Sequence, residues 1–342
     1  MRAGGTVLVT GAAGFCGGHL VDELLGHGAE VVALDLPEAR LDRLGTSRKP
    51  VAHVRCDLAA ADADAVGRAL GGRSFHAVYH LAGLASVRRS FSDIRRTLEV
   101  NALATLNLLG ALQRQEPLPA LLLVGSAEEY GPGPVGDAGF TEGMPLEPVS
   151  PYALSKVWQE SLGGYYARTV RWPVLMTRTF NHTGPGQGPD FVCADFARQI
   201  ARIELGLGEP VLRVGNLAAA RDFLDVRDVA AAYRLVIERG SAGAVYNVCS
   251  GRTWTIGELL QLLLGHARVG IEVLADESRH RPIDIPVLRG DPGLLARETG
   301  WSPRYTLEDT LRDLLEYWRV RAAAEADGAS GAPHRSSRVR GS

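Results

Sequence analysis

The chain has 342 residues, 46% of them hydrophobic and 22% charged, with a formal net charge of −2. That is ordinary globular composition, with length enough for a large core or for one fold with a smaller lobe. The near-neutral balance offers no polyanion-binding surface, so nucleic acid is not an expected partner. No apolar run approaches the roughly 20 residues that span a bilayer, so no membrane partner is expected either.

The first predicted strand, 6–10, is short, apolar and β-branched. A glycine-rich turn follows, then helical apolar spacing over 15–25. Further strands are predicted over 30–34, 51–56 and 76–82, a long helix over 94–114, and a nearly all-apolar strand over 120–125 of the kind buried on both faces. A helix over 152–168 and a strand over 174–180 come next. Strands alternating with helices predict an α/β fold with a parallel, doubly wound sheet and right-handed crossovers. After about residue 180 glycine and proline become frequent, and a smaller, less regular C-terminal lobe is expected. Its helix over 226–239 and strand over 245–248 look like returns to the sheet. The division expected is therefore a cofactor domain over 1–180, with 215–250 rejoining it, and a substrate lobe over 181–321. The remainder, 322–342, is small and polar without apolar period, and is expected to be a disordered tail.

The four cysteines, Cys16, Cys56, Cys193 and Cys249, lie far apart with no metal-ligand spacing. No metal site is expected, and Cys16, Cys56 and Cys249 read as buried thiols. A reducing cytoplasm fits this pattern. The chain enters a strand within a few residues of its start, so no signal peptide is expected.

Thr10-Gly11-Ala12-Ala13-Gly14-Phe15-Cys16-Gly17 joins the first strand to the first helix. Gly11 permits the tight turn, Gly14 lets the backbone approach a pyrophosphate, and Gly17 lets helix and strand pack closely. The helix start then presents N–H groups and a positive dipole end to phosphates. Inside a βαβ unit at the chain's N-terminus, this is a strong dinucleotide signal. Asp35 ends the second strand, where an acid can bind the adenosine ribose hydroxyls. That favours NAD, with Arg40 near enough to leave NADP open. Asp57 and Leu58 end the third strand, where the adenine amino group can be met. Leu81, Ala82 and Gly83 end the fourth with small residues that let a cofactor pass closely.

Of the 37 basic residues only two are lysine, Lys49 and Lys156. Arginine is always charged, whereas a lysine pKa can be shifted, so Lys156 demands a reason. It closes Tyr152-Ala153-Leu154-Ser155-Lys156, an i, i+4 pair on one helical face after a Ser150-Pro151 helix start. An ammonium there can lower the phenol's pKa and bind the nicotinamide ribose, while the tyrosine exchanges a proton with a substrate oxygen. Ser126 follows the fifth strand, where a hydroxyl can hold that oxygen. Of the next acids, Glu128 is expected to enter the pocket and Glu129 to be a solvated turn charge.

These motifs together resemble the extended short-chain dehydrogenase/reductase (NAD-dependent epimerase/dehydratase) family over roughly residues 5–320. The segments 125–131, 178–200, 214–229 and 246–251 are most similar to its GDP-4-keto-6-deoxy-mannose reductase branch, with GDP-mannose 4,6-dehydratase close by. The resemblance implies a Rossmann cofactor domain, a sugar-nucleotide lobe and a homodimer. It implies that Ser126, Tyr152 and Lys156 are the catalytic triad. It also implies that Asn181 touches the substrate's diphosphate or sugar, and that Arg221 and Arg281 bind its phosphates, as guanidinium forks suit. Cys16 stands where the family has a larger aliphatic residue. The implied activity is reduction of the 4-keto group of a GDP-linked 4-keto-6-deoxy sugar. A 4,6-dehydratase using Glu128 is the alternative, and a nucleotide-sugar 4-epimerase comes third. A non-catalytic cofactor-binding module is disfavoured by the intact serine, tyrosine and lysine.

Overall fold

A computed structural model describes residues 5–39, 51–133, 139–279 and 285–330. Its first half alternates strand and helix: β1 (Thr6–Thr10), α1 (Phe15–Gly26), β2 (Glu30–Asp35), β3 (Ala52–Arg55), α2 (Ala63–Leu70) and β4 (Ala77–His80). Next come the short helices α3 (Val87–Ser90) and α4 (Ile94–Leu98), a π-helical segment Glu99–Leu103, and α5 (Ala104–Leu112). The single long helix expected over 94–114 is thus one rod with a π insertion. The half ends with β5 (Ala120–Ser126), the 3₁₀ turn Ala127–Tyr130, α6 (Pro151–Thr169) and β6 (Val174–Thr179).

The second half contains β7 (Asn181–Thr183), α7 (Val192–Glu204), β8 (Val211–Val214), β9 (Ala220–Asp225), α8 (Val226–Arg239) and β10 (Val245–Val248). It continues with β11 (Thr253–Thr255), α9 (Ile256–Gly265), β12 (Glu272–Ala275), β13 (Val287–Leu288), α10 (Gly293–Thr299) and α11 (Leu307–Ser330).

Seven strands form one sheet in the order β10-β6-β5-β4-β1-β2-β3, every pairing parallel. The order doubles back at β1, leaving a crevice at the carboxyl ends of β1 and β4, where such sheets take ligands. Both faces of the sheet are covered, which is why β1, β4, β5 and the first half of β6 (174–176) are mostly apolar and buried. One core lies under α1 and α8, with Leu20, Leu24, Val229 and Tyr233. The other lies under α2 and α5, with Val66, Leu108, Leu109 and Leu112.

A third core gathers α7, α9 and α11 over the small sheets. Of the stretch 215–250, α8 and β10 lie with the large sheet, while β9 pairs with β7, β11 and β13. The tail expected to start at residue 322 does not start there. Helix α11 runs on to Ser330, and Ala322 is buried in this core beside Trp318. Alanine-rich sequence has high helix propensity and needs little apolar period to continue a helix already anchored by packing.

Candidate active site

A cleft of about 1070 Å³ runs between the carboxyl edge of the large sheet and the smaller lobe. Gly11, Gly14, Phe15 and Gly17 line one end of it, and Ser126, Glu128, Tyr152 and Lys156 lie along it. Asn181 and Arg221 line it from the other side.

The glycine turn fits a dinucleotide pyrophosphate by shape. Gly11 has φ +67°, and a Cβ there would lie 2.8 Å from the Ala82 nitrogen. A Cβ on Gly17 would lie 2.1 Å from the Gly11 carbonyl, so helix and turn touch without side chains between them. Gly14 is the exposed N-cap of α1, and no side chain caps that helix start. Its first N–H groups are therefore open to an anion. Asp35 stands beside this turn. Its Oδ2 accepts from the Ala13 N–H at 2.7 Å and its Oδ1 from the Leu36 N–H at 2.8 Å, so the carboxylate ties β2 to the turn.

Asp57, Leu58 and Ala82 lie outside the cleft lining. Asp57 Oδ1 accepts from the Ala59 N–H, and its Oδ2 lies 3.7 Å from Arg96. Leu58 is buried in the α2/α5 core. Ala82 backs the glycine turn and donates its N–H to Thr10 Oγ1 at 3.2 Å. Arg40 and Arg281 fall outside the described residues.

At the other end, β5 delivers Ser126 and the first turn of α6 delivers Tyr152. Ser150 caps that helix, accepting from the Ala153 N–H at 3.0 Å, with Pro151 at its first position. Tyr152 and Ser126 line the same stretch of the cleft, near enough for the serine hydroxyl to act on the phenol. Burial pushes the Tyr152 phenol above the ordinary value. The Ser126 hydroxyl opposes that push, and the charges of Glu128 and Glu129 add to it. The expected lowering by Lys156 is not what sets this balance.

Lys156 is 6% exposed and donates to the Val124 carbonyl at 2.8 Å and to Gln159 Oε1 at 2.9 Å. Burial pushes its ammonium down to about 8, against the raising effect of Glu129. Below it, Thr10, His80, Thr105, Asn101 and Ser155 form a continuous buried polar chain ending on the Tyr152 carbonyl. His80 stays neutral there, pushed down to about 3 by burial and then by Lys156.

Two residues escaped the sequence reading. Glu129 is fully buried rather than solvated, and its Oε1 accepts from the Ser126 N–H at 2.7 Å. The chain does not continue extended after Ser126 but turns into a 3₁₀ helix with a capping box, which rotates Glu129 inward and Glu128 toward the cleft. Asn101 sits in the π segment, accepts from the Leu84 N–H at 2.7 Å and donates to Ser155 Oγ at 2.8 Å. Its one sequence signal was a polar residue within an apolar helix.

Fold and site together define a Rossmann-type nucleotide-binding protein with a serine, a tyrosine and a lysine at the mouth of its parallel sheet. The family model of GDP-mannose 4,6 dehydratase matches residues 8–314, and the chain belongs to that family. Over 319 residues it is 40% identical to the GDP-6-deoxy-D-mannose reductase of Pseudomonas aeruginosa, an alignment covering 93% of this chain and 99% of the relative. The structure of RMD from Pseudomonas aeruginosa complexed with NADPH superposes with a TM-score of 0.80 at 38% identity, covering 93% of this chain and 99% of that one. The UDP-glucose 4-epimerase of Thermus thermophilus in complex with NAD superposes at 0.81 with 32% identity, covering 92% and 99%.

Proposed function

We propose that the protein is an NAD(P)H-dependent reductase of the 4-keto group of a GDP-linked 4-keto-6-deoxy-mannose. The observation that carries the reaction type is the convergence of Ser126, Tyr152 and Lys156 in the same cleft as the uncapped glycine turn. The substrate class rests on the reductase relative and on Asn181 and Arg221 facing that cleft from the smaller lobe. The glycine turn (Gly11, Gly14, Phe15, Gly17) holds the cofactor's pyrophosphate. Asp35, Asp57, Leu58 and Ala82 shape its adenosine side, and Tyr152 and Lys156 its nicotinamide side. When bound, the nicotinamide supplies the hydride.

The chain's own groups do the rest. Ser126 Oγ accepts from the Glu128 N–H at 3.2 Å, which orients the hydroxyl that holds the keto oxygen. Tyr152 gives that oxygen a proton as charge develops on it. Lys156 places a positive charge beneath the site, and Arg221 pairs with diphosphate. Residues 1–180 with α8 and β10 form the cofactor part, and the rest of 181–321 forms the sugar-nucleotide part.

Among the described residues no helix is long and apolar enough to cross a membrane. We place the reaction in the cytoplasm, where the four unpaired cysteines stay reduced. Leu103, Leu106, Leu154, Trp158 and Tyr165 leave an apolar face exposed on the adjoining helices α5, its π segment and α6. A homodimer would cover that face.

Glu128, lining the cleft and close enough to Tyr152 to raise its pKa, supports a second reading as a 4,6-dehydratase base. One assay separates the two. The reductase consumes NADPH or NADH with the keto sugar and leaves GDP-mannose untouched. Turnover of GDP-mannose without added reduced cofactor overturns the reductase reading.

A further inference from the structure

Glu129 is fully buried at the base of the catalytic cluster, and its Oε2 has no hydrogen-bond partner. Such a carboxylate is a poor structural element, since an uncharged side chain would fill the space without a desolvation penalty. Its position is specific. Oε1 holds the Ser126 N–H, and a Cβ on Gly125 would lie 2.5 Å from it, so the carboxyl is pressed against the end of β5. On the neighbouring residue, Val124, the carbonyl accepts from Lys156 Nζ. Gln159, the other acceptor of that ammonium, has a buried Nε2 that is also unpartnered. Two of the buried unpartnered polar atoms therefore belong to residues grouped around Lys156.

We infer that Glu129 is a positioning residue that acts on the reacting tyrosine through Ser126 and Lys156, its charge holding a proton on Lys156. This rests on the reading that Ser126, Tyr152 and Lys156 carry the chemistry.

The surrounding charges fit the inference. From α6, Tyr152, Lys156 and Glu160 face this region, and from β6 Arg178. The 3₁₀ turn adds Glu128 and Tyr130, and β4 adds the neutral His80. Arg178 is bound at both Nε and Nη2 by Glu160, at 2.8 and 2.7 Å, so much of its charge is spent locally. Burial first, then Glu160, pushes the Glu129 carboxyl well above the usual carboxylate range, while Arg178 and Lys156 pull it back. As pH rises Glu129 gives up its proton, and the new negative charge raises the proton affinity of Lys156.

The scarcity of lysine makes a direct test simple. Protein labelled with [ε-¹³C]lysine has signals from only Lys49 and Lys156, and Lys49→Arg assigns them. The cofactor-free protein is titrated by NMR with Glu129→Gln beside it, the amide keeping an acceptor for the Ser126 N–H. The expected result is a fall of about one pH unit in the Lys156 midpoint, a tenfold loss of proton affinity. An unchanged midpoint in a folded variant overturns the inference and leaves Glu129 structural. If the variant does not fold, the unsubstituted protein decides. Coupling predicts a Lys156 curve with two inflections, and a single-site curve contradicts it. The alkaline limb of kcat/KM should move with the NMR midpoint. A shifted midpoint with a stationary limb overturns the action of Glu129 on the reacting tyrosine and faults the role given to Lys156 in the reaction.

Discussion

The two ends of the cleft are made from opposite materials. The glycine-turn end is shape: backbone N–H groups, absent side chains, and a carboxylate used as a tie. The Ser126–Tyr152–Lys156 end is charge taken out of water, with a phenol pushed up, an ammonium pushed down and a buried acid beneath both. A phosphate is recognised by a fixed concave array of donors, which needs close approach and little tuning. Proton transfer depends on shifted affinities, and here burial brings Lys156 toward the working pH while burial and the neighbouring acids take Tyr152 away from it.

If that contrast holds, substitutions at the two ends should fail differently. The largest effect is expected at the chemical end. Tyr152→Phe should lower kcat by about 10²–10⁴ while cofactor affinity, followed by nicotinamide fluorescence, stays the same. Unchanged turnover would point instead to a cofactor-binding module without catalysis. At the shape end, Gly17→Ala places a Cβ 2.1 Å from the Gly11 carbonyl. Overpacking of this kind costs about 1–3 kcal/mol, so a lowered Tm with loss of cofactor binding is expected. Retention of both would mean the turn is not tightly packed.

Arg221→Ala should weaken nucleotide-sugar binding about tenfold or more, the worth of a charge-assisted hydrogen bond, with cofactor affinity unaffected. Calorimetry with GDP reads this directly. A milder effect comes from pH. The Lys156 ammonium is present below its midpoint of about 8 and lost above it. The rate should therefore decline on the alkaline side of pH 8, and a profile flat to pH 10 would contradict the assignment. The smallest effect on chemistry is expected from Trp158→Asp on the exposed face of α6, which should turn dimer into monomer in sedimentation while leaving the cleft intact.

Much of the first half was legible because its signals are local. The strands at Thr6–Thr10, Ala120–Ser126 and Val174–Thr179 fall within a residue or so of where composition placed them, since buried parallel strands announce themselves by short apolar runs. The failures have separate causes. The π insertion at Glu99–Leu103 leaves the apolar spacing continuous, so Asn101 gave little sign of its bonds to Leu84 and Ser155. Glu129 was misread because alternation was carried past Ser126, where the chain had already turned. Helix α11 was cut short at residue 322 because alanine carries propensity but almost no period. Packing decided the first and last of these, whereas the turn at Glu129 is a local Ser126–Glu129 capping box.

The central claim is most directly tested by stereospecifically [4-²H]-labelled NADPH, or NADH, with GDP-4-keto-6-deoxy-mannose, the product being read by NMR and mass spectrometry. Deuterium at carbon 4 of the reduced sugar, with one cofactor oxidised per product, is the predicted result. No label in the sugar, alongside conversion of GDP-mannose to the keto sugar without added reduced cofactor, would contradict it.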